Sequence, residues 1–170
     1  MVWFVNVREF EYFNDAERTA EAYSADRKLS TVGEMGYLDE EGFLYFVERK
    51  KDMIKRSGEN ISSAEVERVL NSHPLIAESA VIGVPDMIRQ EEVKGFIVLK
   101  SQTNIDAVPP KILWEFCKEH LAPFKVPRYI EYRMDLPKTS SSKIQKNLLK
   151  GKLATEKQKV FDRGDIMKDC

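Results

Sequence analysis

Residues 36–62 read GYLDEEGFLYFVERKKDMIKRSGENIS, and this stretch decides the fold. Tyr37 and Leu38 run into Asp39, Glu40, Glu41 and Gly42, a turn-forming cluster, and Phe43 to Val47 resumes as an apolar strand. Residues 36–47 therefore predict a β-hairpin. A charged joint follows over residues 48–52, and on charge alone it is a solvated turn. Met53 and Ile54 restart a strand that stops at Ser57, Gly58, Glu59 and Asn60, where glycine permits a tight backbone turn. Two hairpins joined by an exposed charged segment suggest a moving part, since such a joint absorbs backbone rotation with little loss of packing.

Outward from this stretch the pattern alternates. Residues 2–7 are β-branched and aromatic and read as a strand with no turn or cap before it, as if cut from something larger. Asn14 with Glu17 predicts a capping box for a helix over residues 15–25. Ser62 with Glu65 predicts a second, and Val66, Val69 and Leu70 place an apolar stripe on a helix ending near His73 and Pro74. Residues 77–84 and 93–99 read as strands, with Pro85 and Asp86 turning the chain and residues 87–92 open to either state. Pro109 and Pro110 precede a helix through Leu121, residues 129–134 give a further strand, residues 144–158 are Lys-rich with helical leucines, and residues 161–170 read as a frayed end. Strands this close together cannot all be joined by helices, so the expected class is α+β: a small mixed β-sheet covered by helices.

Composition excludes several function classes. Lys plus Arg (27) nearly balances Asp plus Glu (28) in 170 residues, so the overall charge points to no nucleic-acid partner, and any anion site must be local. Cys117 and Cys170 form neither a disulfide framework nor metal-ligand spacing, which fits a reducing compartment, with cytoplasm the default. No segment approaches the ~20 apolar residues of a membrane helix, so no membrane span is expected. His73 and His120 lie near helix ends, where histidine caps carbonyls, and Trp114, Phe116 and Cys117 read as core or interface.

The motifs go further. VGEMGYLDEEGFLYFVERKKDMIKRSGENIS, then AEVERVLNSHPLIAESAVIGVPD, EVKGFIVL, FKVP and LPKTSSSKIQKNLL, in this order and spacing over residues 8–150, resemble the C-terminal portion of the adenylate-forming superfamily of acyl-CoA synthetases, luciferases and peptide-synthetase adenylation domains. Within it, DMIRQEEVKGFIVL with FKVPRYIEYRMDLPK is most similar to crotonobetaine/carnitine-CoA ligases and related acyl-CoA ligases. The resemblance implies residues 1–50 as the tail of a large N-terminal adenylation domain, residues 51–150 as a mobile C-terminal AMP-binding subdomain, and residues 151–170 as a helical or frayed extension. It implies a two-step reaction: a carboxylic acid and ATP give acyl-adenylate and pyrophosphate, then the CoA thiol displaces AMP. ATP/AMP, CoA and Mg2+ are the implied cofactors, held mainly by the N-terminal domain of the same enzyme, and the chain alone is expected to be inactive.

The implied site is carried over residue by residue. Lys143, after Pro137, Lys138, Thr139 and three serines, matches the adenylation lysine, whose ammonium neutralises charge developing on phosphate. On composition alone it is an ordinary surface lysine. The family usually has Gly before it, and this chain has Ser142. Glu34 stands where relatives carry an aspartate that holds the ribose hydroxyls, and Arg49 matches the arginine that contacts the nucleotide. Without the motif, Arg49 reads equally as a salt-bridge partner of Glu48 or Asp52. Lys51 matches the hinge. Ser57, Gly58 and Glu59 match the turn that lines the pantetheine tunnel for CoA; no metal ligand is expected in this chain. Two alternatives remain: a free-standing binding or partner module, and an adenylating domain that does not use CoA.

Overall fold

The computed structural model describes residues 4–5, 10–31, 33–150 and 159–166. The chain divides into two compact units, Met1–Lys51 and Asp52–Cys170. The division falls inside a single 3-10 turn, Lys50–Asp52.

In the first unit, strand β1 (Phe4–Val5) pairs antiparallel with β2 (Leu29–Ser30), and helix α1 (Ala16–Glu21) lies between them in sequence. The other residues of the expected strand 2–7 lie outside the described residues. Helix α1 starts one residue later than the expected box: Asp15 Oδ1 accepts from Arg18 N at 3.0 Å. Asn14 has φ +52°, whereas a cap residue needs extended backbone. The helix also stops at Glu21, short of Ala25. Tyr23 leaves it to bridge Ser30, and its hydroxyl accepts from Phe10 N at 2.7 Å and donates to Phe10 O at 2.8 Å.

Strands β3 (Glu34–Leu38) and β4 (Leu44–Arg49) form the expected hairpin, two residues longer at each end. Its turn is fixed by Asp39 Oδ1, which accepts from Glu41 N at 3.0 Å and Phe43 N at 2.8 Å. Tyr37 and Tyr45, directly opposite in register, stack with centroids 5.1 Å apart.

The second unit is the mixed sheet. Its elements are β5 (Ile54–Arg56), β6 (Glu59–Ile61), α2 (Ser63–Ser72), β7 (Ile76–Asp86), β8 (Gln90–Leu99), α3 (Pro110–His120), β9 (Tyr129–Arg133), α4 (Lys146–Lys150), β10 (Val160–Asp162) and α5 (Arg163–Ile166). β8 is central, pairing antiparallel with β7 and β5 and parallel with β9, which β10 then extends antiparallel. Ser62 caps α2 as expected, its Oγ accepting from Glu65 N at 3.2 Å, and Pro110 opens α3. The open stretch 87–92 resolves into a hairpin turn between Asp86 and Gln90 followed by strand.

Strand alternation sorts the side chains onto two faces. Val81, Val93, Ile97 and Ile130 join Val66, Leu70, Leu113, Trp114 and Cys117 in one buried cluster beneath α2 and α3. Ala80, Ile82, Phe96 and Val98 join Leu136 and Leu149 in a second on the opposite face. A β-bulge between Ile76 and Glu78 shifts the alternation, which is how even-numbered Ile76 reaches the first cluster. The segment expected to be frayed is ordered as far as it is described. β10 pairs with the free edge of β9, and Asp162 takes the Arg128 guanidinium at 3.1 Å. Residues 151–158 of the expected helix and residues 167–170 lie outside the described residues.

Candidate functional site

The implied site residues fall into three groups. Glu34 and Arg49 face each other across the β3–β4 ladder, with Nε to Oε1 at 3.2 Å. Neither Glu48 nor Asp52 is the partner. Glu48 follows the pleat to the other side and is 3% exposed, whereas directly opposed residues have Cβ atoms about 4.5–5.5 Å apart. Glu34 is 21% and Arg49 57% exposed, so the pair is a surface ion pair of about 0–1 kcal/mol and leaves Arg49 accessible. Next along the chain, Lys50 N donates to Gly33 O at 2.8 Å, and exposed Lys51 follows it in the short turn before β5.

The second group is the two-residue loop between β5 and β6. Ser57 has φ +51° and Gly58 φ +85°, and the flanking residues Arg56 and Glu59 are a register pair. Two successive positive φ values make the loop whose twist matches a hairpin and favour glycine at its second position. A Cβ on Gly58 would meet nothing within 4 Å. Glycine is thus demanded by conformation, and the space beside it is open. The loop is anchored, since Ser57 N donates to Arg89 O at 3.0 Å.

Lys143 ends a closed loop. Ser142 N donates to Thr139 O at 2.9 Å, Thr139 N to Lys143 O at 2.8 Å and Lys143 N to Thr139 Oγ1 at 3.1 Å, while Lys138 and Ile144 form a bridge. This is a turn followed by one left-handed residue, and Ser142 occupies that position with φ +61°. The position favours glycine, the residue expected there from the resemblance. The flanking lysines are committed: Lys138 pairs with Glu78 at 2.7 Å, and Lys146 with Glu67 at 2.8 Å and Ser63 Oγ at 2.6 Å. Among the described residues no group engages the Lys143 ammonium, which is exposed.

Glu34 and Arg49 belong to the first unit, Lys143 and the Ser57–Gly58 loop to the second. Within the second unit, the Lys143 loop is tied to Glu78 near the start of β7 and the Ser57 loop to Arg89 beyond its end. From Glu78 to Asp86 the strand rises about 26 Å.

Residues outside the implied site brace the Ser57 loop. Arg56 donates from Nε and Nη2 to Glu92 at 2.8 and 3.1 Å, and Arg89 Nη1 donates to the same carboxylate at 2.8 Å. Arg56 is therefore spoken for by Glu92. A signal was present in the adjacent Glu91 and Glu92, which as strand neighbours must send one carboxylate to each face. The histidines serve structure: His120 Nδ1 lies 2.8 Å from Phe116 O, and buried His73 caps α2, its Nδ1 accepting from Leu75 N at 3.3 Å. Trp114 and Cys117 are core.

Residues 65–143 match the family model described as AMP-binding enzyme C-terminal domain. A crotonobetaine/carnitine-CoA ligase of Escherichia coli is 45% identical over 139 residues, which are 81% of this chain and 26% of that protein. The enzyme of the same name from Escherichia fergusonii is 44% identical over 140 residues, 82% of this chain and 26% of its own length. The chain thus spans about a quarter of the curated relatives it matches. Among solved structures, ATP-bound MatB from Rhodopseudomonas palustris aligns with a TM-score of 0.73 at 29% identity, over 82% of this chain and 27% of that one. The o-succinylbenzoate CoA synthetase MenE of Bacillus subtilis, bound to its acyl-adenylate, aligns with a TM-score of 0.70 at 36% identity, over 83% and 28%. Residues 65–143 therefore belong to the C-terminal domain family of the AMP-binding enzymes, in a chain whose relatives and structural neighbours are acyl-CoA ligases and synthetases.

Proposed function

We propose that this chain is the C-terminal part of an ATP-dependent acyl-CoA ligase and supplies different residues to the two half-reactions. In the first, a carboxylate oxygen of the acid attacks the α-phosphorus of ATP and pyrophosphate leaves. In the second, the CoA sulfur attacks the acyl carbon, AMP leaves with the electron pair of the acyl–phosphate bond, and the thiol proton passes to solvent. The carrying observation is the state of Lys143, an exposed ammonium on a hydrogen-bonded loop between two lysines that are already paired. Such a cation is available to an external anion, and held by a closed loop it can meet charge developing on the α-phosphate with little reorganisation.

Glu34 and Arg49 fit a nucleotide as donor and acceptor chemistry: a carboxylate for ribose hydroxyls and a guanidinium for ribose or phosphate oxygens. Open space beside Gly58 fits a thin ligand arm passing close to backbone, and Ser57, Gly58 and Glu59 are assigned to the CoA path. The Lys143 and Ser57 loops are tied near opposite ends of β7, which rises about 26 Å from Glu78 to Asp86. That separation supports use of the two loops in two different orientations of the second unit, with Lys51, beside the division between units, assigned as the hinge. Among the described residues no three His, Cys, Asp or Glu side chains gather to hold a metal, and Mg2+ is assigned to the remainder of the enzyme along with the acid's pocket. The acid is of the class used by acyl-CoA ligases, and the chain by itself is inactive. The test is Lys143→Ala in the complete enzyme. Pyrophosphate exchange falls by two orders of magnitude or more, on the scale of losing one preorganised charge at a reacting oxyanion. Exchange at the unaltered rate would refute the assignment.

A further inference from the structure

The Ser57–Gly58 loop is held in place by β8. In a two-residue hairpin the closing pair, Arg56 and Glu59, carries the ladder bonds, so the N–H of Lys55 points away from β6. Glu91 meets it, with Oε2 accepting from Lys55 N at 2.7 Å. Glu92, on the other face and 1% exposed, takes both nitrogens of the Arg56 fork and one from Arg89. Arg89 in turn presents its carbonyl to Ser57 N at 3.0 Å. The Arg89 turn is itself shaped by Asp86 Oδ1, which accepts from Ile88 N at 2.9 Å and Arg89 N at 2.8 Å. A buried carboxylate between two guanidiniums is far more geometric constraint than a surface loop needs, because each charged contact loses its value if the loop shifts.

We infer that Glu92, acting through Arg56 and Arg89, is a positioning residue for the Ser57–Gly58 loop and sets how that loop meets the CoA arm during thioester formation. The inference rests on the assignment of this loop to the CoA path. Glu92 touches neither substrate and acts only through the two arginines. Its neutral isostere keeps the shape and drops the charge that both forks need.

Two measurements on Glu92→Gln test this, with Arg89→Met as a milder partner because that guanidinium is 44% exposed. In the 170-residue chain, amide hydrogen exchange at Ser57 speeds up roughly tenfold or more, the scale expected for losing a charged hydrogen bond, while the β9 amides keep their protection. In the complete enzyme, KM for CoA rises roughly tenfold in thioester formation from preformed acyl-adenylate, while pyrophosphate exchange stays within about twofold. Unchanged Ser57 exchange in both variants overturns the positioning role, as does an equal loss of both half-reactions. If Ser57 exchange speeds up but neither these variants nor Gly58→Leu alters the CoA step, the brace stands and the CoA assignment of the loop falls.

Discussion

Alanine at Gly83 would place a Cβ 2.7 Å from Glu91 Cδ and 2.8 and 2.9 Å from its two carboxylate oxygens. No real Cβ tolerates such contacts, and the strand backbone is the rigid partner while the Glu91 carboxylate is the far end of a flexible side chain, so the carboxylate must swing away. The swing breaks the 2.7 Å bond from Lys55 N. A hydrogen bond to a charged group contributes about 1.5–3 kcal/mol, but Lys55 is exposed and water can take over the freed N–H, which puts the loss near 1 kcal/mol. Against it stands the gain from replacing glycine in a strand, about 0.4–1 kcal/mol. The two nearly cancel. Global stability, read by urea denaturation, should therefore move by less than about 1 kcal/mol, while exchange at the Lys55 amide accelerates by roughly tenfold. A variant stabilised by the whole glycine-to-alanine gain, with Lys55 as protected as before, would refute the reasoning, because it would mean that no carboxylate was anchored across Gly83.

Ser142→Gly should stabilise the second unit by about 0.5–1 kcal/mol in urea, the relief of left-handed strain at φ +61° less the added entropy of glycine; a loss of stability would contradict the loop geometry. Burial pushes the Cys117 thiol up to about 12, so in a Cys170→Ser background an aromatic disulfide reagent at pH 8 should react only on unfolding, and fast reaction of the native chain would refute its burial. Burial lowers the His73 pKa below its usual 6.5, so the unfolded chain takes up the proton first. Its contribution is complete above pH 6.5 and shrinks as pH falls through that value toward the folded pKa. His73→Asn, whose Oδ1 can replace Nδ1, should flatten stability between pH 7 and 5, and an unchanged slope would assign it elsewhere.

Local chemistry made much of the fold legible. The Ser62 cap, Pro110 at the start of α3, the Asp39–Gly42 turn and the Ser57–Gly58 loop each act within a few residues, and each lies where the sequence places it. What was hidden is non-local. Residues 160–166 carry no apolar periodicity of their own, and their order comes from the β9 edge and from Arg128, 34 residues away from Asp162. Arg49 finds Glu34, 15 residues back, only once the hairpin register is fixed. Lys94, Glu131 and Arg133 in β8 and β9 are buried, with Glu131 bridging both cations at 2.7 Å. Such residues are inside because both faces of the central strands are covered, which no local pattern encodes. The same holds for Glu92, whose importance depends on two arginines that only the fold brings to it.

On the proposed function, one small domain offers Lys143 to one half-reaction and the Ser57–Gly58 loop to the other. The decisive measurement follows both half-reactions of the complete enzyme on the same preparations of Lys143→Ala and Gly58→Leu. The expected result is a crossing: Lys143→Ala loses pyrophosphate exchange and keeps thioester formation from preformed acyl-adenylate, and Gly58→Leu does the reverse. Parallel losses in both variants would contradict it.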